Sequence, residues 1–527
     1  MNPETQKNNA SDTNYFLRRQ IYAVMIIVSA GLCFGRIIAV DNVKDRSVQD
    51  YRTSTIRRTL EEKRQQLEAR GASQKSIDNE LEKTKRNLEE TYRTERPTLS
   101  ANDRSRFCTI RVLVEPNLRE TRIVEKNGQK QEVVVPYAID KIRTQRGWDS
   151  IDIVCHSLPD DPSTRYLYST KPPLLPTVMA IPYWIIYKTT GWTFDTEPFF
   201  VARLMLVVCH LIPLAIGWIL TISLIERFAK NDWTKLFAAA FTCFGTFLST
   251  FVVTLNNHLP AVFCIIVALD AAVRICFDGD LRKRWFFIAA FFAAFAFACE
   301  LPSALFFAML GLSLLIRYPR QTLIAGIPAA VVVIAAFFTT NYIAHKTFLP
   351  AYSQQDWYFF EGYQKYGKTI NSYWSNPRGP DVGEPNRLKY AYHFTIGRRG
   401  VFSLTPVWIL AMMGMLTSLF QKNDATFRNL TRMTFLMTLI CFAFYLSMGQ
   451  ENRNYGGVTS GLRWLFWLIP FWTLTSLPIL DKMSKYAAFR GLALLLLFLS
   501  ATSVAYPLWN PWSPSWLEWF MKYISAR

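Results

Sequence analysis

Apolar runs long enough to cross a bilayer recur along this chain from Leu17 onward, and they constrain its fold more than any motif. Crossing the hydrocarbon core takes about 20 residues of helix, because a helix satisfies its own backbone polar groups there. The runs cover roughly 17–41, 201–225, 236–255, 259–275, 285–299, 303–316, 321–343, 403–420, 430–448, 462–480 and 488–506. A further run, 174–188, is short, carries Pro176 and Pro182, and ends in Tyr183, Trp184, Tyr187 and Lys188. If it crossed, Arg227, Lys230, Lys235, Arg282, Lys283 and Arg284 would lie outside. Laid along the surface as an interfacial helix, it returns them to the cytoplasmic side. Arg274, Arg317, Arg320, Lys422, Arg428, Arg432, Lys482, Lys485 and Arg490 then share that side. The expected fold is a mainly α, polytopic membrane protein of about 11 transmembrane helices, with its N-terminus cytoplasmic and its C-terminus outside.

Half of the 527 residues are apolar, yet 19% are charged, which adds a sizeable water-exposed part to the spans. The net charge of +19 invites a nucleic-acid partner. Its lysines and arginines sit mostly in loops beside spans, where they hold topology, so nucleic acid is set aside. Arg18-Arg19 precedes the first apolar segment, Ile21 to Val40, and no small-residue cleavage site follows a short core, so it reads as a retained span. Seven of the nine cysteines lie in apolar runs; Cys108 and Cys155 fall in polar sequence, where an oxidising compartment would let them pair.

The runs divide the chain. Residues 1–16 read as a disordered cytoplasmic tail and 17–41 as the first transmembrane helix. Residues 42–170 form a small α+β extracytoplasmic insert in the first outer loop. Its first part, Ile56 to Thr94, carries Leu60, Leu67, Leu81 and Leu88 at multiples of seven and is interrupted at Gly71-Ala72-Ser73, as in a helical hairpin. Its second part alternates over Thr109 to Val114 and Thr121 to Val135, with Lys126-Asn127-Gly128 as a β-hairpin turn. Residues 171–343 hold a transmembrane core with the interfacial helix 174–188. An outer loop (344–402), C-terminal transmembrane helices (403–508) and a Trp-rich interfacial tail (509–527) follow.

This topology gathers the candidate chemistry on the outer face. In Tyr168-Ser169-Thr170-Lys171-Pro172-Pro173-Leu174-Leu175-Pro176, prolines hold Lys171 at the membrane surface, where it suits a lipid-borne phosphate. A stiff turn with an interfacial lysine explains the same residues. Asp41 follows the first span and suits a general base for an acceptor group, or begins the loop as a polar boundary. Asp45 and Asp50 compete with it, and Asp149, Asp152 and His156 add titratable groups upstream of Lys171. Asn256, Asn257 and His258 put three hydrogen-bonding side chains between two spans, marking a polar cleft or a helix-capping turn. Glu300, before Leu301-Pro302, lines that cleft or marks the loop. Arg398 and Arg399 precede one span, and Asn454-Tyr455-Gly456-Gly457 leads to Arg463 at another. Arginine forks match phosphate oxygens, so Lys171, Arg398, Arg399 and Arg463 on one face point to a diphosphate or phosphodiester headgroup. No Walker loop, GxGxxG after a strand, HExxH or GxSxG occurs, which leaves soluble nucleotide chemistry unsupported.

With these residues in view, the chain resembles the GT-C superfamily of membrane glycosyltransferases, which includes protein O-mannosyltransferases and the aminoarabinose transferases that modify lipid A. The likeness rests on an acidic residue just after the first span, a large first outer loop with interfacial helices, a Lys-Pro motif near its end, and a polar outer turn after the third span. It covers most of the chain outside 42–147. It implies Asp41 as the first-loop carboxylate and Lys171 as the contact to the lipid-linked phosphate. Asn257 and His258 stand where many members have an aspartate, so the second carboxylate is missing. The segments Gly397-Arg398-Arg399-Gly400 and Asn454-Tyr455-Gly456-Gly457 resemble uncharacterised bacterial members.

The implied reaction moves a sugar from a polyprenyl-phosphate carrier to a lipid, glycan or protein acceptor outside a bacterial inner membrane. Asp41 would deprotonate the acceptor, while Lys171 and the arginines would stabilise the leaving phosphate. Membrane lipids surround the protein; no cofactor is certain, and a divalent metal stays open. Two other classes compete. A lipid or glycan transporter predicts internal repeats and mid-span titratable residues, whereas Arg36, Arg203 and Asp270 lie near span ends and no repeat is evident. A non-catalytic scaffold predicts that Asp41→Asn changes nothing, and eleven spans exceed what an anchor needs.

Overall fold

The computed structural model describes residues 3–39, 46–91, 100–126, 128–145, 147–420, 425–507 and 510–525. Asp41, Asp45 and Lys422 lie outside the described residues, as does Asn127. The fold is mainly helical. Among the described residues, seven helices are long and apolar enough to cross a membrane: Asn14–Ile38, Pro198–Phe228, His258–Cys276, Pro319–His345, Ala425–Ser447, Arg463–Met483 and Ala487–Ala505. Their outward side chains include Ile27, Ile219, Val332, Leu439 and Phe498, as lipid-facing helices require, and the chain is an integral membrane protein.

The count of eleven spans is not reproduced, for local reasons. The run 236–255 ends as helix Asp232–Phe244 at Gly245, and only a short 3-10 turn, Thr250–Val253, follows. The runs at 303–316 and 403–420 give the shorter apolar helices Leu301–Arg317 and Trp408–Phe420, the second starting only after Thr405-Pro406. Helix Lys283–Cys299 has 17 residues and stops before Glu300-Leu301-Pro302. Proline removes a backbone donor and disfavours helix at the residue before it, so these stops follow from the sequence.

The main apolar cluster is shared by the spans and the insert, running from Tyr22 and Ile37 through Phe107 and Tyr183 to Trp472, with smaller clusters around Tyr168 and around Phe337. Small residues set the closest approaches. At Gly414, on Trp408–Phe420, an added Cβ would lie 2.0 Å from the Thr475 carbonyl oxygen on the facing helix, so only glycine fits.

In the insert, helices Arg46–Ala69 and Gln74–Thr91 form the expected hairpin, turning at Gly71 with φ +70°. Strands β1 (Glu120–Lys126) and β2 (Gln129–Val135) pair antiparallel, with Gly128 in their turn at φ +74°. Thr109 to Val114, read as a strand arm, is instead the end of a buried helix, Ala101–Val114. Ser100 caps its N-terminus, accepting from Asn102 N at 3.1 Å and Asp103 N at 3.4 Å, and this local start signal outweighs the β-branched alternation downstream. A second pair, β3 (Ile153–Leu158) and β4 (Asp161–Ser169), runs directly into Lys171. Cys108 and Cys155 are buried free thiols. Helix Leu174–Thr190 follows, packed on Ala101–Val114 and exposing Ile181, Trp184 and Ile185. A third small pair, β5 (Tyr363–Lys365) and β6 (Lys368–Ile370), docks the outer loop onto the insert, where Tyr363 Oη donates to Asp140.

Candidate active site

A cavity of about 310 Å³ opens where the insert meets the ends of the spans. Its polar lining is Asn102, Arg106, Lys171, Asn257, His258, Glu300 and Arg463. Its apolar lining is Leu175, Pro176, Phe297, Leu301 and Pro302, and Tyr352, Tyr358 and Trp464 add aromatic rings. A larger groove, about 590 Å³, lies between the two hairpin helices, but its lining of Arg57, Glu61, Arg64, Lys85 and Glu89 brings no buried polar groups together. The smaller cavity is therefore the candidate site.

These polar groups reach it from several elements. Helix Ala101–Val114 buries an unusually polar first half. Arg104 Nε donates to Asp149 O at 2.6 Å, Ser105 Oγ to Asp152 O at 2.6 Å, and Arg106 donates to Asn102 Oδ1 and Asn257 Oδ1. Burying such groups costs free energy unless each is paired, and here each is. Lys171 arrives after β4. Its Nζ lies 2.9 Å from Asp152 Oδ1, with side-chain exposures of 22% and 16%, so the pair is sheltered yet reachable. Burial raises the Asp152 carboxyl, but Lys171, Arg106 and Arg463 pull it below its ordinary value and keep it ionised. For Lys171, burial lowers the ammonium, Asp152 raises it, and the net position is below the ordinary lysine value.

Beside Arg106, Asn257 Nδ2 donates to Glu300 Oε2 at 2.7 Å and to Cys299 O at 2.9 Å. His258 Nδ1 lies 2.6 Å from the same Glu300 oxygen, and Arg463 Nη1 donates to His258 Nε2 at 2.7 Å. A histidine that accepts at Nε2 carries its proton on Nδ1, toward the carboxylate. Arg463 is fixed further by Gly456 O, which accepts from Nε at 3.3 Å and Nη2 at 3.0 Å. That carbonyl is presented by a turn in which Tyr455, Gly456 and Gly457 all have positive φ (+57°, +81° and +82°). Two consecutive glycines make the turn affordable, and a Cβ on Gly456 would stand 3.3 Å from Arg463 Nε.

The structure thus brings Lys171, Asn257, His258 and Arg463 to one cavity, with Glu300 beside them. It parts Asn256 from its neighbours. That side chain is buried, donating to Phe251 O and Thr254 O at 2.9 and 2.7 Å and accepting from Leu259 N at 3.0 Å, so it closes the turn into helix His258–Cys276. Arg398 and Arg399 do not line the cavity. Arg399 Nε lies 3.0 Å from Glu518 Oε2 and Arg398 Nη1 4.0 Å from Glu518 Oε1, so the C-terminal helix Trp516–Ser525 occupies both. Arg106, Asp152 as the partner of Lys171, and the aromatic residues Tyr352, Tyr358 and Trp464 were not singled out for these places by sequence. The Ser100-x-x-Asp103 capping pattern was the available signal for the helix that carries Arg106.

Among the described residues, no three His, Cys, Asp or Glu side chains gather to hold a metal. Asp152 is paired with Lys171 and Glu300 with His258 and Asn257, beside two guanidinium groups. That donor set suits an anion and does not fit a divalent cation, so no step below runs through one.

No protein-family model and no curated protein matches the sequence. Three solved structures of the oligosaccharyltransferase of Archaeoglobus fulgidus are similar at low level. The apo form shares 14% identity over 82% of this chain and 54% of that chain, with a TM-score of 0.41. The complex with zinc and sulfate shares 13% over 68% and 46%, with a TM-score of 0.36. The complex of that enzyme, AglB, with an inhibitory peptide and a dolichol-phosphate shares 15% over 65% and 47%, with a TM-score of 0.32. This chain spans about half the length of those it matches.

Proposed function

We propose that the chain is a membrane glycosyltransferase that moves a sugar from a polyprenyl-phosphate-linked donor to an extracytoplasmic lipid, glycan or protein acceptor. The observation that carries this reading is the mixed lining of one cavity, in which the cations Arg106, Lys171 and Arg463 share the space with the apolar Leu175, Pro176, Phe297 and Leu301. A phosphate joined to an isoprenoid chain presents the same two kinds of surface. The phosphate meets three cations in a partly dehydrated site, and the first isoprene units meet the apolar side chains.

In the reaction, the bond between the sugar C1 and the phosphate oxygen breaks, and its electron pair leaves with the phosphate. An acceptor nucleophile bonds to C1 and loses a proton to a carboxylate. Charge grows on the phosphate oxygens as the bond opens, so fixed cations favour the transition state over the ground state. Lys171 is held by Asp152 until the phosphate competes for it, while Arg463 is held by Gly456 and His258. The base is assigned to Asp41, by its place after the first span. Glu300 is the carboxylate that lines the cavity itself. The GT-C resemblance supports this scheme, with O-mannosyl or aminoarabinose-type transfer as finer forms of it and the outer side of a bacterial inner membrane as its place.

Binding of a labelled polyprenyl phosphate to the full chain in nanodiscs tests the donor grip. Wild type binds, and Lys171→Ala with Arg463→Ala does not. Equal binding by that folded double variant overturns the reading.

A further inference from the structure

Arg398, Arg399 and the Trp-rich C-terminal segment are conspicuous in the sequence, yet they stand outside the cavity. Their contacts converge on the loop that carries Arg463. Trp512 lies under the Arg463 guanidinium, 5.0 Å from ring centroid to Cζ. Its Nε1 donates to Thr254 Oγ1 at 3.0 Å, and Thr254 Oγ1 donates to Asp103 Oδ2 at 2.8 Å, on the helix that also carries Arg106. The backbone of Ser460 donates to Pro511 O at 2.9 Å. Glu518 holds Arg399, whose Nη1 donates to Gly457 O. Ser515 Oγ donates to Arg398 O.

We propose that the C-terminal segment 510–518 is a clamp that positions Arg463 in the cavity, with Trp512 as the positioning residue and Glu518–Arg399 as its second point of attachment. The loop 456–463 is gripped at Gly457, Ser460 and Arg463, and its turn is built on left-handed glycines that do not fix their own conformation. An arginine on such a loop needs an external reference to hold its fork to within a fraction of an ångström. The indole face supplies one. It attracts the guanidinium plane while leaving the donor edges free for His258, Gly456 O and an incoming anion. This rests on the donor reading only for the identity of the anion.

The test uses the full chain in nanodiscs and an arginine-directed dicarbonyl reagent, with modification at Arg463 and Arg106 read by peptide mass. Trp512→Leu raises the modification rate of Arg463 severalfold and leaves that of Arg106 unchanged, which separates release of the clamp from general unfolding. Trp512→Phe restores protection, because an aromatic face remains. Glu518→Gln gives a smaller rise and stands in if Trp512→Leu does not fold. In parallel, Trp512→Leu weakens polyprenyl phosphate binding about tenfold. Unchanged Arg463 reactivity in Trp512→Leu or, failing that, in Glu518→Gln overturns the clamp. Raised reactivity with no polyprenyl phosphate binding by wild type upholds the clamp and refutes the donor reading instead.

Discussion

Arg463 and His258 meet across 205 positions of sequence, Nη1 to Nε2 at 2.7 Å, at the ends of two spans. Through Glu300 and Asn257 this contact continues to Arg106 in the insert, so the cavity wall is one hydrogen-bonded unit shared by three parts of the chain. Removing any member leaves its neighbours buried and unpaired, which sets the direction of the predictions below.

Arg106→Ala leaves Asn102 and Asn257 without their donor in a buried site and is expected to lower stability by about 2–5 kcal/mol. Arg106→Lys keeps the charge but loses the fork, and is expected to fold while weakening donor binding about tenfold. Thermal unfolding and binding isotherms on the two variants check this; equal donor affinity in Arg106→Lys would exclude a direct phosphate contact.

Glu300→Gln preserves an acceptor for Asn257 but removes the charge facing His258. The expected result is a near-native fold with slowed sugar transfer and retained polyprenyl phosphate binding, because the cations remain and the base is assigned to Asp41. Loss of binding with equal severity would show that Glu300 serves only to hold the wall.

Gly456→Ala meets both a φ of +81° and the Arg463 side chain. A left-handed alanine costs about 1 kcal/mol, and the added carbon pushes on Nε, so donor affinity is expected to fall severalfold with helical content unchanged. Circular dichroism alongside binding reads both.

Much of this site was legible, and the reasons differ by residue. Lys171, Asn257, His258 and Arg463 are polar groups at the ends of apolar runs, where topology alone puts them on one face. Asn256 shares that address, yet its amide is spent on the turn, a local competition that adjacency in sequence does not resolve. Arg398 and Arg399 find their carboxylate, Glu518, in the tail 119 residues beyond Arg399. Arg106 was hidden because Thr109 to Val114 alternates like a strand, whereas the cap at Ser100 and the tertiary pairing of a polar helix face decide the segment. The count of eleven spans is not reproduced where glycine and proline cut runs that average hydropathy treats as continuous.

The outer loop should respond to acid. His156 stacks on Trp357 with centroids 3.8 Å apart, and its Nε2 faces His345 Nδ1 at 3.1 Å, beside the loop that brings Tyr352 and Tyr358 to the cavity. Burial pushes the His156 imidazole down from about 6.5 to about 4. The native state then binds fewer protons than the unfolded state between those values. Its contribution is complete above pH 6.5 and is lost as the pH falls toward 4, at about 1.4 kcal/mol per pH unit. Hydrogen exchange over residues 351–358 is expected to quicken across this window in wild type and to stay level in His156→Phe; a matching rise in both would assign the effect elsewhere.

The most direct measurement is sugar transfer by the purified full chain in nanodiscs from polyprenyl-phosphate-linked donors, comparing wild type with folded Lys171→Ala and Arg463→Ala. The account predicts release of polyprenyl phosphate and a glycosylated acceptor from wild type, with each variant slower by about a hundredfold. Transfer at wild-type rate by both variants, or none by wild type from any carrier that it binds, would contradict it.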